Sequence, residues 1–136
     1  MERCIFCRIA NGEIPSATLY EDEEFLVILD LAPASRGHAL LLPKQHFANL
    51  YDIPDDTIQK AIVLAKKVAV AIKAELKCDG LNIVQNNEPA AGQTVIHFHI
   101  HLIPRYENDG VGLKWNAGEL TEEASNEIIA KIEGVL

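Results

Sequence analysis

Three histidines recur at every second position in the segment His97-Phe98-His99-Ile100-His101-Leu102-Ile103. Successive side chains of a β-strand point to opposite faces, so in a strand the histidines would share one face and the apolar residues the other. In a helix, only His97 and His101 would align, and His99 would point away. The alternation, together with the β-branched and aromatic content, predicts a strand over 95–103 whose apolar face packs on the core.

Three imidazoles on one strand face allow three interpretations. A solvated polar face is the first, although such faces usually carry Thr, Lys and Glu. A single metal held by all three is disfavoured, because the Cα atoms of His97 and His101 would lie roughly 13 Å apart at ~3.3 Å per residue. The third interpretation divides the roles. One outer histidine joins a metal or a scaffold, and the others act in chemistry near neutral pH, where imidazole titrates.

Cys4 and Cys7 form a C-x-x-C pair, which can hold a metal through two thiolates. A redox pair of the thioredoxin type would follow a first strand, and this pair opens the chain instead. A tetrahedral Cys2His2 zinc site needs two histidines as well. Spacing alone leaves four candidates open: His38, His46, His97 and His101. The third cysteine, Cys78, is predicted to be structural.

Composition limits the classes of protein. The 136 residues fit one domain, and 49% hydrophobic with 24% charged residues is typical of a globular chain. The apolar runs VILDLA and HALLLP are far shorter than the ~20 residues that span a membrane, so no membrane association and no secretion signal are expected. The formal charge of −8 argues against broad nucleic-acid binding, while a small phosphorylated ligand is compatible with it.

Apolar spacing predicts the remaining elements. We expect a hairpin over 17–30, strands over 38–44 and 80–85, and a long helix over 55–77. One face of that helix is predicted to carry Ile58, Ile62, Ala65, Ala69, Ile72 and Leu76. A last helix over 121–133 is predicted to begin at the N-cap Thr121 and to turn Ile128, Ile129 and Ile132 inward. The pattern indicates an α+β fold, an antiparallel sheet covered by one main helix.

The histidine segment resembles the His-φ-His-φ-His-φ-φ signature of the histidine triad (HIT) family, where φ is apolar. The resemblance extends over nearly the whole chain. The stretches 4–9 and 12–16 look like the opening of the Hint branch and its bacterial zinc-bearing relatives, and Asp30, 37–38, 43–46 and 92–94 match later segments of the family. The resemblance implies a HIT-like fold with a five-stranded antiparallel sheet, one long helix and a C-terminal helix. It also implies a single HIT domain over 1–136 and a homodimer.

The resemblance also implies roles for individual residues. His99 matches the nucleophile that attacks the α-phosphorus of a nucleotide, after which water releases the monophosphate from the covalent nucleotidyl-histidine. His101 and His38 match flanking residues that bind the phosphate or orient the nucleophile. Five positions match nucleotide contacts: Asp30 at the ribose, with Asn86, Gly92, Gln93 and Thr94 near the phosphate. Four positions match the ligands of a structural zinc ion: Cys4, Cys7, His46 and His97.

The family's chemistry predicts a nucleotide hydrolase or transferase acting on adenosine phosphoramidates or adenylated small molecules, with dinucleoside polyphosphates as the second choice. Two other classes stay open: a zinc-dependent hydrolase that uses the triad as catalytic ligands, and a nucleotide-binding module with little turnover. The sequence has no Walker loop and no carboxylate cluster suited to Mg²⁺, which favours histidine catalysis without a catalytic cofactor. The acidic charge and the lack of targeting signals point to the cytoplasm.

Two departures from the family pattern concern the choice of leaving group, and a third lies in a region that helps to set the choice of substrate in the family. The stretch 87–91 replaces a glycine-rich segment of the Hint proteins, and Thr94 stands where many relatives have Ser. The region after Tyr106 resembles the family only loosely. Within it, Trp115 is a candidate specificity element or an anchor in the core or an interface.

Overall fold

The computed structural model describes residues 3–136, in which five strands form one antiparallel sheet in the order β1-β2-β3-β5-β4. The strands are β1 (Thr18–Glu21), β2 (Phe25–Leu29), β3 (Ala39–Pro43), β4 (Gly80–Val84) and β5 (Ile100–Arg105). The helices are α1 (Ile5–Ala10), α2 (Asp55–Leu76) and α3 (Glu122–Ile132), with 3₁₀ turns at Pro89–Ala91 and Glu133–Val135. The predicted α+β class, five-stranded sheet, long helix and C-terminal helix are confirmed.

The hairpin of β1 and β2 is closed by Asp22, whose carboxylate accepts hydrogen bonds from the backbone N–H groups of Glu24 and Phe25 at 2.8 and 2.7 Å. From Phe25 to Leu29, β2 pairs with β3 in antiparallel register. Both strands are buried on both faces over most of their length, because helices cover the two sides of the sheet. The predicted hairpin and the predicted strand over 38–44 are thus present.

Helix α2 carries Asp55 and Asp56 in its first turn, where carboxylates stabilise the positive end of the helix dipole. It ends at Leu76, and the C-cap residue Lys77 adopts the left-handed conformation with φ 54°. Its buried residues are Ala61, Leu64, Ala65 and Ile72. The prediction that Ile62 faces the core is wrong, since this side chain is 50% exposed. The buried stripe runs through Ala61, and the next residue lies about 100° away around the helix.

The strand predicted over 95–103 is wrong in its first half, because β5 begins only at Ile100. Its neighbour β3 ends at Pro43, which has no N–H to continue the ladder. The preceding residues bond elsewhere: the His97 N–H donates to the Val95 carbonyl at 2.9 Å, and the Phe98 N–H to the Phe47 carbonyl at 2.6 Å. The predicted alternation of faces nevertheless persists, since Phe98, Ile100 and Leu102 all lie in one core cluster.

The sheet separates two hydrophobic clusters. Alternate residues of β2 and β3 point to opposite faces, so Val27 and Leu41 pack beneath α2, while Ile28 and Leu40 pack with Phe6 of α1. Helix α3 belongs to neither cluster and buries no residue.

The prediction that α3 turns Ile128, Ile129 and Ile132 inward is wrong for this chain on its own, because these side chains are 54%, 53% and 48% exposed. The predicted cap of α3 is present, since the Ala124 N–H donates to Thr121 Oγ1 at 3.1 Å. Sequence periodicity detects an apolar face but not what covers it. Within residues 3–136, none of the helices has both the length and the apolar character needed to cross a bilayer.

Candidate active site and metal centre

Four predicted ligands converge on one point, their donor atoms all lying within 4.8 Å of one another: Cys4, Cys7, His46 and His97. Cys4 Sγ lies 3.4 Å from His97 Nδ1, and Cys7 Sγ lies 3.3 Å from His46 Nδ1 and 3.5 Å from His97 Nδ1. In a tetrahedral site with Zn–S bonds of ~2.3 Å and Zn–N bonds of ~2.1 Å, sulfur and nitrogen ligands are about 3.6 Å apart. The donor set and its spacing therefore fit zinc.

Backbone groups orient two of these ligands. Cys4 caps α1 and accepts a hydrogen bond from the Cys7 N–H at 3.4 Å, which places both thiols at the start of one helix. His97 Nε2 donates to the Pro43 carbonyl at 2.7 Å. A carbonyl only accepts, so the proton of the neutral ring is on Nε2 and the lone pair of Nδ1 faces the two thiols. A metal-binding histidine typically donates its other ring N–H to a carbonyl in this way, which orients the ring towards the metal.

Burial also changes the acidity of these ligands. Burial, with a contribution from the hydrogen bond to Cys4, raises the pKa of the Cys7 thiol to about 11. Burial lowers the pKa of His97 to about 4, so this ring is neutral at pH 7. A bound cation would favour the thiolates, as metal ions do for coordinating cysteines.

His99 lies next to this centre but is held differently. Its Nδ1 donates to the His97 carbonyl at 2.7 Å, which leaves the lone pair on Nε2. Its ring lies between Phe6, with centroids 5.0 Å apart, and His101, with centroids 4.9 Å apart. Burial lowers the pKa of His99, and the hydrogen bond to the carbonyl opposes this shift. His99 is thus a neutral imidazole in one tautomer, the state that a nucleophilic histidine requires.

His38 and His101 form a directed pair. The Ala34 N–H donates to His38 Nδ1 at 2.9 Å, so the His38 proton is on Nε2. His38 Nε2 donates in turn to His101 Nδ1 at 2.9 Å, which places the His101 proton on Nε2. Burial lowers the pKa of both rings, that of His101 to about 4 with help from His99 and His38. The pair therefore ends in a single N–H donor suited to a phosphoryl oxygen or a leaving group.

Asp30 follows β2, and its two carboxylate oxygens have different neighbours. Oδ1 accepts the Ala32 N–H at 2.9 Å, which is the turn-capping role expected of a carboxylate at a strand end. Oδ2 lies 3.6 Å from His38 Nε2. The structure thus brings Asp30, His38 and His101 together, and Asp30 is available to a ligand through one oxygen.

The predicted phosphate loop contains Asn86, Gly92, Gln93 and Thr94. Gly92 has φ 92°, a conformation that favours glycine, and a Cβ atom there would lie 3.7 Å from Asn86 Nδ2. Thr94 is exposed on the segment that leads to the histidines.

Gln93 is only 3% exposed, and its amide is bonded to the backbone. Its Oε1 accepts the Glu88 N–H at 2.7 Å, and its Nε2 donates to the carbonyls of Ala48 and Val95 at 2.7 and 3.2 Å. In this conformation the side chain of Gln93 holds the loop in place, and the backbone N–H groups of Ala91, Gly92 and Gln93 donate to carbonyls within the loop.

Sequence reasoning missed several groups that shape the site. Phe6 contacts both His97 and His99 edge to face, and its place between two predicted ligands is a signal that could have found it. Ala34 and Pro43 act through backbone atoms, which side-chain patterns do not mark. The structure brings His97 to the cysteines and His101 to His38, while the division of roles among the triad stays a prediction.

The fold and the two histidine centres define a class, and comparisons with known proteins agree. Residues 11–108 match the HIT domain family, and the chain belongs to this family. An adenosine 5'-monophosphoramidase of Saccharomyces cerevisiae is 43% identical over 136 aligned residues, which cover 96% of this chain and 84% of the relative. The predicted family membership is confirmed.

Solved structures give the same result. The crystal structure of a HIT family protein from Bacillus subtilis has a TM-score of 0.91 and 40% identity, covering 98% of this chain and 97% of the other. A Zn-bound histidine triad family protein from Mycobacterium smegmatis has a TM-score of 0.78 and 35% identity, covering 99% of each chain. The HIT-like fold is therefore confirmed.

Proposed function

We propose that this protein is a nucleotide hydrolase that cleaves at the α-phosphate of adenosine phosphoramidates or adenylated small molecules through a covalent nucleotidyl-His99. One observation carries the proposal: the His97 carbonyl fixes the proton of His99 on Nδ1, so Nε2 is free to attack. The name of the yeast relative, adenosine 5'-monophosphoramidase, supports the choice of substrate.

In the first step, His99 Nε2 attacks the α-phosphorus, a P–N bond to the histidine forms, and the bond to the leaving amine breaks. The Nε2–H of His101, at the end of the His38–His101 pair, donates to a phosphoryl oxygen or protonates the leaving amine. Fixed donors of this kind stabilise the charge that develops in the transition state, and they need no reorganisation. Asp30 holds the ribose hydroxyls through its free oxygen.

In the second step, water attacks the phosphorus, the P–N bond to His99 breaks, and the monophosphate leaves. The water supplies the hydroxyl of the product, and its second proton restores the Nε2–H of His101 after that ring has protonated the leaving amine. His99 returns to the neutral imidazole with its proton still on Nδ1. Dividing one difficult displacement into two is the gain of covalent catalysis. Asn86, Gly92 and Thr94 contribute contacts to the phosphate, and Gln93 positions their loop.

The Cys4–Cys7–His46–His97 centre holds a structural zinc ion in this proposal. When bound, the metal cross-links the first helix to the segment before β5, and the chain's own histidines perform the reaction. The zinc-bound relative from Mycobacterium smegmatis and the ligand spacing support this role. We also propose one domain over 1–136, a homodimer and a cytoplasmic location.

The test is release of adenosine monophosphate from an adenosine phosphoramidate in chelator-containing buffer, with wild type and His99→Ala compared. We expect release by wild type and a loss of at least about 1000-fold in His99→Ala, since removal of a nucleophile eliminates the covalent route. Circular dichroism checks that the variant is folded. Full activity in His99→Ala would contradict the mechanism, and loss of wild-type activity in chelator without unfolding would favour a zinc-dependent hydrolase instead.

A further inference from the structure

A groove of about 560 Å³ lies between α2 and the hairpin of β1 and β2. We call it the α2–hairpin groove. Its apolar walls are formed by Leu19, Leu29, Leu64, Val68, Ala71 and Leu76. None of the described residues that line it belongs to the proposed nucleotide site or to the proposed zinc centre. Pockets of several hundred Å³ with mostly apolar walls and a few polar groups are typical binding sites for small molecules.

One end of this groove is formed by Gly37 and Leu76. A Cβ atom at Gly37 would collide with Leu76 Cδ1, so the loop before His38 packs directly on the end of α2. Because Gly37 lines the groove, a molecule bound there lies against its backbone. The amide signal of Gly37 therefore reports occupancy of the groove.

Charged groups lie at both ends of the groove. Arg36 and Glu75 are the chain neighbours of Gly37 and Leu76, so a cation and a carboxylate stand together at that end. Lys67 lies more than two turns earlier on α2, about 12 Å from Glu75 along the helix axis at ~1.5 Å per residue. Among the described residues of the lining, Lys67 is thus the cation without a carboxylate at its own end.

Two of the three carboxylates of the hairpin turn near Lys67 already have other partners. Asp22 Oδ2 accepts a hydrogen bond from the Tyr20 hydroxyl at 2.7 Å, and Glu24 Oε1 lies 2.9 Å from Lys60 Nζ. Lys67 forms no ion pair with any of residues 3–136. The groove therefore combines apolar walls with one uncompensated cation.

We propose that the α2–hairpin groove binds a medium-chain aliphatic carboxylate, with its chain on the apolar walls along α2 and its carboxylate beside Lys67. One uncompensated cation matches a head group with one negative charge, whereas a phosphate monoester carries close to two at pH 7. The chain contributes most of the affinity, because each fully buried CH₂ changes the Kd by about fourfold. This site is independent of the nucleotide reaction proposed above.

The experiment titrates ¹⁵N-labelled protein with hexanoate, octanoate and decanoate at constant pH, below the concentration at which each forms micelles. We expect decanoate to bind at least about tenfold more tightly than hexanoate, because an open groove buries part of each added methylene. Acetate is the control for the head group alone, and decyltrimethylammonium is the control for a chain of opposite charge. The largest amide shifts should fall on Gly37 and on the α2 residues that line the groove.

Two tryptophan substitutions at neighbouring positions of α2 test the apolar walls. Ala71→Trp fills the groove, while Val70→Trp adds the same side chain about 100° away around the helix, at a position that is 62% exposed. We expect decanoate to bind at least about tenfold more weakly to Ala71→Trp and within about twofold of wild type to Val70→Trp. Circular dichroism checks that both variants are folded.

Two charge reversals test the position of the head group. Lys67→Glu and Lys66→Glu change the net charge equally, but only Lys67 lines the groove. We expect binding of decanoate to weaken by about fivefold in Lys67→Glu, the size of an exposed ion pair, and by less than about twofold in Lys66→Glu.

Decanoate binding no tighter than that of hexanoate, equal binding of decyltrimethylammonium, or equal effects within either pair of variants would overturn the proposal. So would amide shifts centred on His99 and His101, which would place the carboxylate in the nucleotide site. An affinity for decanoate that falls as the protein concentration rises would overturn it as well, because protein would then cover the groove.

Discussion

At the scale of single residues, the site depends on which nitrogen of each histidine carries the proton. Backbone carbonyls fix this for His97 and His99, and a backbone N–H fixes it for His38. The alternating sequence was enough to place Phe98, Ile100 and Leu102 in the core, and the division of roles that it suggests for the three histidines stays a prediction. It could not predict the tautomers, because any residue can supply the backbone groups that decide them.

The pH dependence of stability tests the buried state of His101. Its pKa is lowered from 6.5 to about 4, so between these values the unfolded chain binds a proton that the folded chain does not. The free energy of unfolding should therefore fall as the pH decreases from about 6.5 to 4, and this term should contribute on the order of 1–2 kcal/mol by pH 5.

Urea denaturation from pH 7.5 to 4.5 measures this effect, with wild type and His101→Gln both kept in chelator so that zinc loss is the same in each. We expect the stability of His101→Gln to depend less steeply on pH than that of wild type. Parallel curves for the two proteins would contradict a neutral, buried His101.

At the scale of elements, α1 has only six residues, fewer than a helix needs to be stable by itself in water. Phe6 packs it on the sheet, and its first turn contacts His46 and His97 through Cys4 and Cys7. The C-x-x-C pair predicted a metal centre, but nothing in the periodicity indicated this short helix. Its existence depends on contacts that are distant in sequence.

Cys4→Ser removes one of the four proposed zinc ligands and should lower the melting temperature. A ligand present at 100 times its Kd stabilises a folded protein by about 2.7 kcal/mol, so a loss of at least this size is expected. Differential scanning calorimetry with and without chelator provides the control: chelator should lower the melting temperature of wild type and leave Cys4→Ser nearly unchanged. An equal response of both proteins to chelator would count against a structural metal at this centre.

Gln93 gives a second test at the scale of elements, because its amide bonds to three backbone groups of the loop and its neighbours. Gln93→Ala should destabilise the protein by about 2–3 kcal/mol, since Glu88 N–H loses its acceptor. Gln93→Glu has the same shape but turns a carboxylate oxygen towards two carbonyls, and should be no more stable than Gln93→Ala at pH 7. Wild-type stability with weakened monophosphate binding in Gln93→Glu would instead indicate direct contact with the ligand.

At the scale of the whole molecule, the sheet separates a face covered by α2 from a face covered by α1. His38 and His46 flank β3, and the triad histidines lead into β5. The elements from β1 to β4 were predictable because each has its own spacing of apolar residues and is bounded by turn residues. The wrong predictions have one cause. They concern the exposure of Ile62 and of the α3 isoleucines and the strand pairing of residues 95–99, and each of these depends on which residues lie nearby in space. Gly37 is a further example. Its φ is 91°, and a Cβ atom at this position would collide with the side chain of Leu76.

The covalent intermediate is the central claim, and rapid quenching of the first turnover followed by mass spectrometry of the intact chain tests it most directly. An adenosine phosphoramidate should add one adenylyl group to the wild-type chain, and peptide mapping should place the group on His99. His99→Ala should show no added mass under the same conditions. Monophosphate release by wild type with no adduct at His99, or an adduct on another residue, would contradict the account.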